Sequence, residues 1–132
     1  MKSIEEVREY FAHDRFAVEN GAYIEEIGDK YAKCSMNITP KHLNAMGGVM
    51  GGAIFVLADF AFAVAANWQQ ASTVTLNSTV TFYGTAKGSQ IIAEAKCLKD
   101  GRTTCCYQIE IVDDLANPVA MLMMSGFKKV KN

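Results

Sequence analysis

Apolar positions change their period along this chain, and each period implies an element. Near the start, Ile4, Val7, Tyr10 and Phe11 recur at helical spacing. Ser3 is a capping residue type, and Glu5, Glu6 and Glu9 suit the positive end of a helix dipole. An amphipathic helix ending near His13 is predicted. From Ala22 to Ile38 the sequence AYIEEIGDKYAKCSMNI falls into two runs about Gly28-Asp29, and the second alternates Tyr31, Lys33, Ser35 and Asn37 with Ala32, Cys34, Met36 and Ile38. That predicts two strands joined by a turn. Thr39 to Val49 contains Pro40, Asn44, Gly47 and Gly48 and predicts a loop. Gly51 to Asn67 (GGAIFVLADFAFAVAAN) is apolar on every face, which predicts a buried helix.

Period two returns after Asn67. Val74, Leu76, Ser78, Val80 and Phe82 fall on one face and Thr73, Thr75, Asn77, Thr79 and Thr81 on the other, a strand pattern rich in β-branched residues. Two further strands, Gln90 to Lys99 and Thr103 to Asp113, flank the hairpin signal Asp100-Gly101. Asp113 to Pro118 predicts a turn and Val119 to Val130 a last strand. The order predicts a single α+β domain over residues 1–132, with helices at 1–14 and 51–67 and one antiparallel sheet packed on the dominant helix. A flat sheet covers a helix on one side only. A sheet that curls around the helix, a second copy of the chain, or both must therefore cover the rest.

Composition adds limits. Half the residues are apolar and a fifth charged, as in ordinary soluble domains. A net charge of -1, with no basic run beyond Lys128-Lys129 and Lys131, gives no electrostatic footprint for nucleic acid, and that tail is expected to keep a terminus solvated. The apolar stretch is too short for a membrane span and contains Asp59. Cys34, Cys97, Cys105 and Cys106 lack CxxC spacing, and only His13 and His42 could join them, so no metal site is expected. The opening residues alternate acid and base and do not read as a signal sequence, so a cytoplasmic setting with reduced thiols is expected.

Candidate chemistry centres on Asp59, the only charge in the apolar helix. A buried carboxylate is costly unless it is satisfied or used. It is a candidate base towards water or nucleophile towards an acyl carbon, and a structural, backbone-bonded Asp is the competing reading. Gly51-Gly52 open the helix, so unpaired first-turn N–H groups could polarise a carbonyl with no side chain in the way, or the glycines only permit a tight turn. Asn44 could donate to a water or carbonyl through its amide, or only shape a turn. Met46, Met50, Met121, Met123 and Met124 read as fillers of core or pocket, and His42 as an exposed loop histidine.

The run HLNAMGGVMGGAIFVLADFAFAVAAN resembles the signature of the PaaI-type hotdog thioesterases, within the 4-hydroxybenzoyl-CoA thioesterase superfamily. The pattern is N-x-x-G-x-x-H-G-G-x-x-F-x-L-A-D, and Asn44, Gly47, Gly51, Gly52, Phe55, Leu57, Ala58 and Asp59 stand at matching positions. The likeness in element order extends from about Phe16 to Val130. It implies a hotdog fold, a long central helix wrapped by a curved antiparallel sheet, in homodimers paired edge to edge and usually homotetramers. It also implies an acyl-CoA substrate, no cofactor, and an active site between subunits. Asp59 is then base or nucleophile, and the Gly51 N–H, beside Gly52, polarises the thioester carbonyl. Asn44 places water or substrate, and Thr75 supplies an assisting hydroxyl from the partner subunit, with Asn77 second. Two positions depart from the pattern. Met50 stands where the family has His, which sets an apolar contact beside the thioester. Tyr83-Gly84-Thr85 stands where Arg-Pro is frequent, so Tyr83 joins the substrate-binding set and the CoA phosphates fall to Lys99 or Arg102. The implied function is acyl-CoA thioester hydrolysis. The alternatives are a non-catalytic acyl-CoA or ligand-binding hotdog protein, and a dehydratase, which would pair a His with the carboxylate; neither His13 nor His42 stands at the helix start.

Overall fold

In the computed structural model, which describes residues 2–70 and 72–129, the Ser3 hydroxyl accepts from the Glu6 N–H while the Glu6 carboxylate accepts from the Ser3 N–H. This capping box starts α1 (Ile4–Phe11), which buries Val7 and Phe11. The helix stops short of the expected His13. After a turn the chain makes a second helix, α2 (Arg15–Glu19), too short for its apolar period to be read from sequence.

The strands are β1 (Tyr23–Gly28), β2 (Tyr31–Asn37), β3 (Thr73–Phe82), β4 (Gln90–Asp100), β5 (Thr104–Asp113) and β6 (Pro118–Lys128), and α3 (Gly51–Asn67) lies between β2 and β3. They form one antiparallel sheet in the order β1-β2-β4-β5-β6-β3. The chain leaves β2 near one edge and returns as β3 on the other, so α3 must cross the sheet's face. It packs against all six strands, which fold around it. Ala32, Cys34, Met36, Ala93, Ala95, Ile109, Ile111, Leu122 and Met124 alternate onto the helix side and are buried. Leu57, Ala58, Ala61 and Val64 meet them with no exposed surface, and the alanines let backbone approach closely. Each fully buried large side chain contributes about 1.5–3 kcal/mol. This is the expected α+β, wrapped-helix arrangement.

The ends of α3 are fixed differently. At its C-terminus the Trp68 indole donates to Gly28 O at 2.7 Å, and Asn67 Oδ1 accepts from the N–H groups of Ser72 and Thr73 at 2.9 and 2.8 Å, which sets the entry of β3. At the other end a short 3₁₀ turn, Pro40–His42, leads into the Asn44 loop. Beyond the helix, buried Asp113 shapes the β5–β6 turn by accepting from Lys87, Gly88, Leu115 and Asn117. Burial alone would raise its pKa, but these bonds outweigh it and hold the carboxyl well below the usual range.

Three expectations need correction. His42 is not a surface residue: it is 3% exposed, its Nδ1 accepts from the Thr39 N–H at 2.9 Å, and its Nε2 faces Asn20 O at 2.7 Å. Polar neighbours in sequence concealed a distant partner, Asn20, at the C-cap of α2. Lys128 is not a loose tail: its ammonium pairs with Asp100 and donates to Gly101 O at 2.6 Å, tying β6 to the β4–β5 hairpin. Val130 and Lys131 lie outside the described residues. Strict alternation in β3 also fails. Thr75 pairs with Gly126 and Asn77 with Ser125, leaving Leu76 as an extra, bulged residue. Thr73 and Thr75 therefore share the helix face with Ser78, Val80 and Phe82.

Candidate functional site

Asp59 sits mid-helix on the least covered stripe of α3, half-buried between the exposed Gly52 and the partly covered Ala63. The bulge at Leu76 turns Thr75 towards it, and Thr75 Oγ1 donates to Asp59 Oδ1 at 3.3 Å. No other side chain or backbone group hydrogen-bonds its carboxylate among the described residues. Burial pushes the Asp59 pKa above the usual carboxylate value; the Thr75 hydroxyl opposes that, and the negative charge of Asp14 adds to it. A carboxylate so placed is more basic than a solvated one, which suits proton abstraction from water.

The N-terminus of α3 provides the second half. Met50 is the N-cap and makes no side-chain cap bond; its carbonyl accepts from Ala53 and Ile54, so the N–H groups of Gly51 and Gly52 have no acceptor among the described residues. Both sit where the helix dipole favours negative charge. The surroundings are apolar. A Cβ on Gly52 would lie 2.9 Å from Met50 Cε, and one on Gly51 would lie 3.2 Å from the Phe82 ring. Met50 and Phe82 thus flank the donors, and Phe82 was not anticipated as a neighbour of the site. Its signal in sequence was only its place at the end of a strand.

Asn44 has a firm structural task. Its Oδ1 accepts from the N–H groups of Met46 and Gly48 at 2.9 and 3.1 Å, and its own N–H donates to Gly48 O at 2.8 Å. With Met50 N bonded to His42 O and Leu43 bridged to Val49, this makes a pinned loop. The Asn44 amide nitrogen keeps its donors free of protein acceptors among the described residues.

Within one chain these parts do not converge. Gly51 and Asp59 are eight residues apart on one helix, ~12 Å along its axis. Asn77, opposite Ser125, lies on the outer face of the sheet, away from Asp59, because the bulge reverses its side. Tyr83, exposed at the end of β3, is held by its N–H bond to Val119 O. Arg102 lines a cleft of about 740 Å3 with Ala65, Ala66, Ser72, Thr73 and Lys129, at the C-terminal end of α3. Lys99 does not line it. Lys30 and Lys128 on the same cleft both pair with Asp100, whereas Arg102 and Lys129 have no carboxylate partner among the described residues. No group of three His, Cys, Asp or Glu side chains among the described residues is placed to hold a metal, and no described helix is long and apolar enough to cross a membrane.

Comparison with known proteins places the chain. The family model of the thioesterase superfamily matches residues 46–116. The acyl-coenzyme A thioesterase PaaI of Escherichia coli is 32% identical over 112 residues, 84% of this chain and 80% of that protein. The structure of the E. coli PaaI protein from the phenylacetic acid degradation operon matches with a TM-score of 0.85 at 27% identity, over 98% of this chain and 99% of that one. A hypothetical thioesterase protein of Streptococcus pneumoniae, solved with coenzyme A, shares the fold with a TM-score of 0.83 at 21% identity, over 92% of this chain and 98% of that one. With a family match over more than half the chain, and a helix that carries both an embedded carboxylate and free N-terminal donors, this chain belongs to the thioesterase superfamily, as a PaaI-type hotdog protein and thioester hydrolase.

Proposed function

We propose that the protein hydrolyses acyl-CoA thioesters at sites shared between two copies of the chain. The observation that carries this reading is the separation of Asp59 and the Gly51 N–H on one helix. A base or nucleophile and an oxyanion donor must both lie ~3 Å from the reacting groups, and ~12 Å between them is too far.

A second copy removes the difficulty. β3 is an edge strand with ten residues, TVTLNSTVTF, and neither charge nor proline to discourage pairing. β1, at the other edge, carries Glu25, Glu26 and a register irregularity. Thr75 on β3 reaches Asp59, while Phe82 on the same strand lies over Gly51. Antiparallel pairing of β3 with its own copy about its midpoint sets the Thr75 end of one strand beside the Phe82 end of the other. Asp59 of one chain then faces the Gly51 of the partner subunit, with its Asn44 loop and Met50.

In this arrangement the thioester carbonyl oxygen accepts from the Gly51 N–H, and Gly52 leaves room for the approach. Asp59 takes a proton from the attacking water, or attacks the acyl carbon itself to form an anhydride that water then cleaves. The thiolate of CoA leaves and is protonated. Negative charge that develops on the carbonyl oxygen meets the helix N-terminus. Asn44 directs its free amide N–H groups at the water or substrate. Met50 puts an apolar wall beside the acyl group. Tyr83 borders the opening, and Arg102 with Lys129 receives CoA phosphates in the cleft beside Thr73, which the same pairing brings near the partner's Gly51.

The test is thiol release by the purified protein from short-chain, long-chain and aromatic acyl-CoAs, with Asp59→Asn in parallel. Turnover of at least one class that disappears in the variant supports the reading. CoA esters that bind but are never cleaved across the panel overturn it in favour of a ligand-binding protein.

A further inference from the structure

We infer that Asn67 is a positioning residue of the hydrolytic site: by fixing where β3 starts against the end of α3, it holds the Thr75 hydroxyl on Asp59. This inference rests on the reading of Asp59 as the working carboxylate.

β3 runs back along the helix that precedes it, and three contacts mark the alignment. At one end Asn67, the last residue of α3, meets Thr73, the first of β3: Oδ1 accepts from the Thr73 N–H at 2.8 Å and Nδ2 donates to Thr73 O at 3.1 Å. In the middle Thr75 Oγ1 donates to Asp59 Oδ1 at 3.3 Å. At the other end the Phe82 ring lies over Gly51. Among the described residues, the bonds of Asn67 and that of Thr75 are the hydrogen bonds that join the segment 72–82 to α3. One amide therefore carries the placement of the strand's start.

The start is tightly determined. Ser72 has a φ of 140°, which residues with a side chain rarely adopt, and such backbone persists only where its surroundings enforce it. Here the Ser72 N–H donates to Asn67 Oδ1 at 2.9 Å, and the Ser72 carbonyl accepts from the Lys129 N–H at 2.9 Å. The Thr73 methyl group then fills the space left by Gly126: a Cβ on that glycine would lie 2.6 Å from Thr73 Cγ2 and 2.9 Å from Phe62 Cζ. Phe62 is on the turn of α3 that follows Asp59. Thr73 is thus tied to α3 by its backbone and seated between β6 and α3 by its side chain.

Thr75 stands two residues on, ~7 Å along the strand, and its reach to Asp59 follows from that start. The bond is long for a hydroxyl and a carboxylate, so it has little slack. Within the chain β3 pairs with β6 alone, and its other side is open. The end of α3 is anchored separately. The Trp68 indole donates to Gly28 O, and Gln69 bonds to Asp29 and to the Lys30 N–H. Loss of the Asn67 amide therefore frees the start of β3 while the helix keeps its place.

The test follows the Asp59 side-chain carboxyl carbon by NMR as pH is varied, with its resonance assigned by its loss in Asp59→Asn, and records the acid limb of kcat/KM beside it. Asn67→Ala is made in the wild type and in Thr75→Val, and Asn67→Gln, whose amide stands one methylene further out, takes its place if it does not fold. In the wild type, loss of the clamp should move both the titration and the acid limb to higher pH by about half a unit. In Thr75→Val, where the donor is already gone, neither should move. Asn67→Asp still accepts from Ser72 and Thr73 but adds a charge, so any shift it causes should be the same in both backgrounds. The negative charge of Asp14, which also bears on Asp59, is common to every variant. A titration unmoved by loss of the clamp, or moved equally with and without the Thr75 hydroxyl, overturns the inference. If the shift depends on Thr75 but the wild type cleaves no thioester, the positioning stands and the hydrolytic reading fails.

Discussion

Thr75 Oγ1 lies 3.3 Å from Asp59 Oδ1 because Leu76 is bulged out of the β3–β6 ladder. Without that extra residue, alternation counted back from Ser78 would turn Thr75 to the outer face. The bulge therefore builds the site. The hydroxyl donates to the ionised carboxylate and lowers its pKa against the stronger effect of burial. Thr75→Val keeps the shape and removes the donor. We expect the acid limb of the hydrolysis profile to move to higher pH by ~0.5–1 unit, with a smaller change at the alkaline plateau. An unmoved limb would mean that the hydroxyl turns elsewhere when substrate is bound.

Asp59→Asn should separate activity from stability. Its raised pKa means that the folded state favours the protonated carboxyl over the unfolded state, whose value lies near 3.8. Ionised Asp59 is thus a destabilising feature above its folded pKa, and the penalty disappears below the unfolded value. Asn is neutral throughout. The variant should lose thioester hydrolysis by ~10³-fold or more, melt a few degrees higher at neutral pH, and lose that advantage as the pH falls towards 4. Thermal melts across this range check the sign. A lower melting temperature at neutral pH would make the carboxylate a structural hydrogen-bonding group.

Sites shared across two copies predict complementation. Gly51→Pro removes one N–H at the first helical position, where proline is tolerated, and Asp59→Asn removes the proposed base. Each variant alone should be inactive. In a mixed dimer one site combines both lesions, while the other combines an intact Asp59 with an intact Gly51. Co-expression followed by isolation of differentially tagged heterodimers should recover about half the wild-type activity per dimer. Inactive heterodimers would place the whole site within one chain.

The helix from Gly51 to Asn67 and its single charge were legible because burial on all faces leaves an unbroken apolar run, and a carboxylate within it stands out. The hairpin at Asp100-Gly101 was legible for a similarly local reason. What sequence did not reveal depended on a partner distant in the chain. Which side of β3 faces Asp59 was not legible, because a bulge removes the period on which alternation relies. His42 was read from its polar neighbours, whereas its environment is made by Asn20. Asn77, taken from the resemblance, lies by register on the outer face of the sheet, which local sequence does not show.

His42 gives the Asn44 loop its shape through two bonds that fix its tautomer. The Thr39 N–H donates to Nδ1, so that nitrogen is unprotonated, and Nε2 must carry the hydrogen that it donates to Asn20 O at 2.7 Å. Nitrogen NMR shifts should show this Nε2–H form in the folded protein. His42→Ala removes both partners inside a buried setting and leaves the Thr39 N–H and Asn20 O unsatisfied. A cost of ~1–3 kcal/mol is expected for such a loss. Because Met50 N bonds to His42 O, and Asn44 lies two residues on, the damage should extend to hydrolysis. We expect faster amide exchange in residues 39–50 and a fall in kcat/KM, with β4 and β5 unaffected. His42→Gln, which can still accept at one end and donate at the other, should recover part of both. If exchange in the loop is unchanged while the protein is destabilised, His42 braces α2 alone and the loop is held by Asn44 itself.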